Sequence, residues 1–184
     1  FKWVKSKMKI LALDTSATVA TVAVTDDLTP LAEYTVNNKN THSETLLPMI
    51  ESALAALSMK ISDIDLFALS AGPGSFTGVR IGAATVKGLA FGSQRPCAEV
   101  STLEALAHNL SLYKGLICPV MNARRSQVYT ALFRSNGEDL ERLMPDSALS
   151  IEELDEILAG YGESVALVGD GYDITANGFK KTEL

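Results

Sequence analysis

Cysteine is nearly absent from this chain: 184 residues contain only Cys97 and Cys118. They form no CxxC pair and no even framework, which excludes a disulfide scaffold and a thiolate metal knuckle. Both sit in apolar runs and are expected to be reduced, buried core residues. Histidine is equally scarce. His42 and His108 stand 66 residues apart, and neither has a second ligand at i+3 or i+4, so no metal site is expected. Long apolar runs are lacking too. None approaches the roughly 18 residues of a membrane span, and the basic opening FKWVKSK has no apolar core of a signal peptide. Met8 reads as the natural start, with residues 1–7 an added remnant. A basic face is also missing. Net charge is −6, and cations cluster only at Lys5/Lys7/Lys9, Arg124/Arg125 and Lys180/Lys181. Such a chain is a poor stand-alone nucleic-acid binder, and any RNA role needs a partner that supplies positive surface.

Aliphatic residues, by contrast, are plentiful. The chain is 47% hydrophobic with only 7% aromatic residues, enough for one compact core or two small coupled ones. Three strands open it: Lys9–Leu13, ending at Asp14-Thr15-Ser16, then Val19–Val24 and Leu31–Val36, followed by the loop 37–40. From Thr41 the period changes. Thr41 and Glu44 make a capping box, and Leu46, Leu47, Ile50, Ala53, Leu54 and Leu57 recur at helical steps. Pro48 removes one hydrogen bond inside that helix and predicts a kink. Leu66–Ser70 reads as a two-face-buried parallel strand. It leads through Gly72, Pro73, Gly74 and Ser75 into a helix over 77–92, and Ala98–Val100 is expected as a further buried strand. Ser101 caps a third helix to about Leu110.

The second half starts over. Leu116–Met121 is a strand ending at Asn122, Val128–Phe133 returns, and a weaker strand follows near Leu140–Met144. A helix over Ser150–Ala159 precedes the strand Val165–Val168 and Gly169-Asp170-Gly171. Leu13-Asp14 falls on Met121-Asn122 at a shift of 108 residues, which suggests a duplicated α/β unit.

The turn SAGPGSFTGVRIG at 70–82 invites three readings, and its spacing narrows them. Five residues separate Gly72 from Gly78, and Val79-Arg80 stands where a phosphate loop needs lysine. Thr77 replaces a dinucleotide-fingerprint glycine. A nucleophile elbow at Ser75 would need glycines where Pro73 and Thr77 stand. No catalytic residue is therefore assigned. Glycine costs a helix interior about 0.5–1 kcal/mol relative to alanine, so Gly78, Gly82, Gly88 and Gly92 need a reason. The expected one is a small-residue seam against another helix, with Val79, Val86 and Leu89 filling around it. Asp14, beside Thr15 and Ser16, is a candidate for positioning a magnesium-bound phosphate, or else a turn aspartate bonding its own backbone. Asn122 at the matching place argues for a weak or lost site.

The strings LALDTS (11–16), HSETLLPMI (42–50), SAGPGSFTGVRIG (70–82), VSTLEALA (100–107) and NARRSQVYTALF (122–133) together resemble the TsaB (YeaZ) family, from Met8 to about Gly171. The resemblance implies an actin/Hsp70-like (ASKHA) duplicated α/β fold of two lobes, each a mixed sheet with flanking helices, here 8–110 and 111–184. It implies a non-catalytic, cytoplasmic accessory role in making threonylcarbamoyladenosine beside the anticodon of ANN-reading tRNAs. The implied partners are a second copy, the catalytic paralogue TsaD and the ATPase TsaE, with tRNA met only through the complex and no membrane. TsaD's metal-binding histidines fall on Thr102 and Leu106 here. The resemblance places the dimer face on Leu46, Leu47, Ile50, Leu54, Gly78, Val79, Gly82, Val86, Gly88 and Leu89. ATP or ADP with magnesium, at the lobe cleft through Asp14, Thr15, Ser16 and Gly169 or at a partner interface, is a secondary expectation. An M22-like glycoprotease or a weak ATPase of this class is the alternative function. Family chains usually continue past Leu184 into a further helix and strand, so the chain is expected to be truncated.

Overall fold

The computed structural model describes residues 7–37 and 41–184; residues 1–6, with Lys5, and residues 38–40 of the expected loop lie outside the described residues. The chain forms two compact units that meet between Val100 and Ser101. This differs from the expected boundary after residue 110, because the third helix packs on strands of the second unit.

In the first unit, β1 (Lys9–Asp14), β2 (Ala20–Asp26) and β3 (Thr29–Val36) form an antiparallel meander, and β4 (Leu66–Ser70) and β5 (Cys97–Val100) add in parallel. The sheet order is β3-β2-β1-β4-β5. Register sets Leu11 opposite Val24 and Leu13 opposite Val22, so alternation aims all four at one face. That face receives Leu46, Ile50, Ala53 and Leu54 of α1 (His42–Ala56) and Val86 and Ala90 of α2 (Phe76–Ser93) in one cluster. Each buried aliphatic side chain contributes about 1.5–3 kcal/mol. At the start of α1 the Glu44 carboxylate accepts the Thr41 backbone N–H at 3.1 Å. The helix runs on through Pro48, whose carbonyl accepts the Ser52 hydroxyl. A short 3₁₀ turn, Ile61–Asp63, leads into β4. Two expectations are corrected at β5. As the last strand it pairs only with β4, so it is largely exposed, and Cys97 is exposed rather than buried.

The second unit begins with α3 (Thr102–His108), whose first turn is capped by Ser101 accepting the Glu104 N–H. Its sheet contains β6 (Lys114–Arg124), β7 (Gln127–Asn136), β8 (Leu140–Ser150) and β9 (Val165–Val168) in the order β8-β7-β6-β9. β6 is antiparallel to β7 and parallel to β9, as β1 is to β2 and β4. The repeat expected from the sequence is therefore present in the topology. Residues Leu116 to Met121 are buried without alternation, the pattern of a strand covered on both faces. Leu116, Cys118 and Val120 pack with Leu154 and Leu158 of α4 (Ile151–Ala159). Burial pushes the Cys118 thiol up to about 12, its hydrogen bond with Thr130 notwithstanding, so it is an inert packing group. β8 extends well past the expected Met144, and it tolerates Pro145 because it is an edge strand. Helix α5 (Tyr172–Gly178) was not anticipated; it is short, and Gly171 at its start has no side chain to cap it.

The segment after α5 is held by one carboxylate. Asp155 is buried on α4 and accepts the backbone N–H groups of Lys180 (2.8 Å), Lys181 (3.1 Å) and Thr182 (2.9 Å). The Glu183 carbonyl then accepts the Val165 N–H on the free edge of β9. Burial raises the Asp155 pKa, but the donors from Lys180, Thr182 and Lys181 outweigh it and leave the carboxyl below its ordinary value. A depressed folded-state pKa adds stability at neutral pH that disappears as pH falls through that value. Asp155→Asn should therefore cost about 1.5–3 kcal/mol at pH 7 and expose the amides of 180–182 to hydrogen exchange. The difference in Tm from wild type should narrow below about pH 4. An undiminished difference in acid would show that the charge is not what holds the segment.

Candidate functional site: two strand-end turns and the outer face of α2

The turn after β1 is built against the start of α2. One Asp14 carboxylate oxygen accepts the Ser16 N–H at 2.8 Å and its hydroxyl at 2.6 Å. The Thr15 hydroxyl donates to the Gly78 carbonyl at 2.8 Å, and the Ser16 carbonyl accepts the Ser75 N–H at 2.6 Å. His42, at the first position of α1, bonds the Ala17 carbonyl through Nε2 at 2.8 Å. Thr15 and Ser16 are buried, so both expected phosphate-positioning hydroxyls are used inside the lobe. One oxygen of the aspartate makes the local backbone bond. Ser75 is the helix cap, its hydroxyl accepting the Gly78 N–H.

Glycine is required here by proximity. A Cβ at Gly78 would collide with the Thr15 carbonyl, one at Gly74 with the Ser16 carbonyl, and one at Gly82 with the Thr15 hydroxyl. Gly88 and Gly92 face open space. The glycines read as one seam therefore split. Gly78 and Gly82 admit the lobe's own turn, and only the later pair faces outward.

The second unit repeats the turn. The Asn122 side-chain oxygen accepts the Arg124 N–H at 2.9 Å, matching Asp14 and Ser16 position for position, and Asp170 accepts the Asn122 N–H at 3.1 Å. Gly169 has φ +124°, and a Cβ there would meet the Val120 carbonyl, so it is a close-packing residue. Thr102 is buried at the start of α3, with its hydroxyl unpartnered. Among the described residues no three His, Cys, Asp or Glu side chains gather as a metal site.

Of the residues expected at a partner face, Leu46, Ile50, Leu54, Gly78, Gly82 and Val86 are buried in the first lobe, and Val79 and Leu89 are half-buried. The six buried positions are corrected to core and turn-contact positions; Val79 and Leu89 keep part of their surface, and Leu47 and Gly88 are exposed. The outer face of α2 carries residues not singled out by sequence. Phe76 is 70% and Phe91 88% exposed, with Ala84 and Gly88 between them. The Arg80 guanidinium lies 3.6 Å from the Phe76 ring centre. Beside Gly88 and Phe91 a depression of about 1040 Å³ reaches Arg95 and Cys97. The signal was legible in principle as the series 76, 80, 84, 88, 91 along one helix face.

The split of the glycines has opposite consequences for substitution. Gly82→Val should destabilise by about 1–3 kcal/mol through overpacking against Thr15. Gly88→Ala should stabilise by about 0.5–1 kcal/mol, because a helix gains propensity and nothing is displaced. Urea denaturation checks both, and equal effects of the two would mean that the turn does not sit against α2.

Comparison with known proteins fits this geometry. Residues 31–178 match the family model described as TsaD, tRNA N6-adenosine threonylcarbamoyltransferase. The chain is 38% identical over 162 residues to the tRNA threonylcarbamoyladenosine biosynthesis protein TsaB of Bacillus subtilis, covering 88% of this chain and 71% of that protein. The Escherichia coli protein of the same name is 34% identical over 145 residues, covering 74% of this chain and 62% of its own. The structure of YeaZ from Pseudomonas aeruginosa superposes with a TM-score of 0.71 at 32% identity, over 79% of this chain and 68% of that one. The two lobes, each a mixed sheet with flanking helices, are the duplicated α/β arrangement expected from the sequence. No described helix is long and apolar enough to cross a membrane. With the motifs, the duplicated topology and these relatives in agreement, the chain belongs to the TsaB (YeaZ) family of tRNA threonylcarbamoyladenosine biosynthesis proteins.

Proposed function

We propose that this chain is a non-catalytic scaffold subunit that works in the cytoplasm. It pairs with itself and with a TsaD-like paralogue, engages a TsaE-like ATPase, and supports threonylcarbamoylation of the adenosine beside the anticodon of ANN-reading tRNAs. The observation that carries this reading is the division of labour around α2. The strand-end turn spends the Thr15 and Ser16 hydroxyls and one Asp14 carboxylate oxygen on internal bonds, while the outer face of α2 presents Phe76, Ala84, Gly88 and Phe91 to solvent. An apolar stripe with small residues at its centre suits a closely approaching helix.

The flanking charges suit a second copy. α2 exposes Arg80 and Lys87 on the same face as these apolar residues, and α1 exposes Leu47 with Glu44 and Glu51. A two-fold arrangement places the acidic face of one α1 on the basic face of the other α2, a self-complementary patch. The same face serves a paralogue of similar fold, and the transfer chemistry resides in that partner.

Ala84→Glu combined with Phe91→Glu should convert a dimer to a monomer in sedimentation without changing the circular dichroism spectrum. It should also remove co-purification with the TsaD-like subunit and the gain in tRNA modification that this chain provides. A variant that still dimerises and still supports modification would place the interface elsewhere.

A further inference from the structure

The tip of the β6–β7 hairpin carries a feature that the scaffold reading does not use. Arg124, Arg125 and Ser126 have φ of +67°, +52° and +58°, three successive non-glycine residues in the left-handed region. Arg124 pairs with Gln127, so Arg125 and Ser126 are the two central residues of the turn. Such turns normally take Asn-Gly or Asp-Gly, because positive φ is strained for a branched or long side chain. Strain of this kind persists where a side chain is wanted at that place.

Both arginines are exposed, and neither takes part in an ion pair among the described residues. Five other cations do: Lys7, Arg95, Arg134, Arg142 and Lys181. In a chain of net charge −6, two adjacent unneutralised guanidinium groups are a local exception. They also stand on a rigid support. β6 and β7 are buried along most of their length, and the base of the tip is fixed by the Asn122–Arg124 and Asp170–Asn122 hydrogen bonds.

Resting on the proposed role in tRNA modification, we infer that this hairpin tip contacts the phosphate backbone of the tRNA held by the assembled complex. Guanidinium groups match phosphate oxygens in bidentate geometry and stay charged at any physiological pH. Two such groups are too few for binding by the isolated chain. They orient an RNA whose main binding surface belongs to the partner. The chain then contributes position, which explains why the arginines are fixed on a strained turn instead of a flexible loop.

The strain gives the test a second readout. In the complex with the TsaD-like subunit, Arg124→Asn with Arg125→Gly should raise Tm, since Asn and Gly adopt positive φ readily. The same variant should weaken binding of an unmodified ANN-reading tRNA transcript several-fold. It should also reduce the slope of log affinity against log salt by about 1.4–1.8, the value for two lost phosphate contacts. Arg124→Lys with Arg125→Lys should retain most of the salt slope. An unchanged affinity and slope in the Asn/Gly variant would overturn the inference, as would a fall in Tm. Loss of the TsaD-like subunit with tRNA behaviour unchanged would assign the tip to a protein contact and also overturn it. Failure of the wild-type chain to co-purify with the TsaD-like subunit is a separate readout, and it would sink the scaffold reading together with this inference.

Discussion

A single close approach organises the first lobe: the Thr15 hydroxyl reaches the Gly78 carbonyl at 2.8 Å across a gap that only glycine leaves open. The turn after β1 is thereby locked to the first turn of α2, with His42 of α1 closing the third side at Ala17. Three elements distant in sequence meet at one point, and their side chains are consumed there. In the string GSFTGVRIG the glycines answer to residues 15 and 16: Gly74 meets the Ser16 carbonyl, Gly78 the Thr15 carbonyl and Gly82 the Thr15 hydroxyl, and Ser75 caps the helix they admit. With the inner face of α2 committed in this way, what α2 offers outward is decided by the opposite side of the same helix.

The apolar runs of β1 and β2, the apolar steps of α1 and the 108-residue repeat are all legible, because each leaves a trace in side-chain type. Topology confirmed the repeat down to a shared detail, Asp14 and Asn122 each bonding the N–H two residues on. The orientation of α2 was not legible. Gly78 and Gly88 look alike in a sequence, since a residue without a side chain says nothing about which way it faces. Hence six of the residues expected at the interface proved to belong to the lobe's own core or turn contacts, while Phe76 and Phe91 went unnoticed. β5 was misjudged for a related reason. Its composition suits a buried strand, and only sheet order shows that it lies at an edge. α5 escaped because it is short and starts from a glycine.

The two lobes share a plan but not a way of being held. In the first, one face of the sheet gathers the aliphatic cluster, and half-buried Ala12, Ala23, Ala68 and Ala98 line the other. In the second, β6 is buried without a break from Leu116 to Met121. Pro119 is accommodated at its centre, where the β6–β7 ladder omits Cys118 and Pro119 between Ile117↔Phe133 and Val120↔Thr130.

Two-sided burial of β6 also has a dynamic consequence. Opening a strand covered on both faces exposes apolar surface on both at once, so it cannot fray without disrupting the whole lobe. β6 and its long partner β7 form the slow-opening centre of the protein, while β3 and β5 at the rims of the first sheet open at low cost. The arginine-bearing tip grows directly from that centre. Two side chains at the periphery thus inherit the positional fidelity of the most persistent part of the molecule.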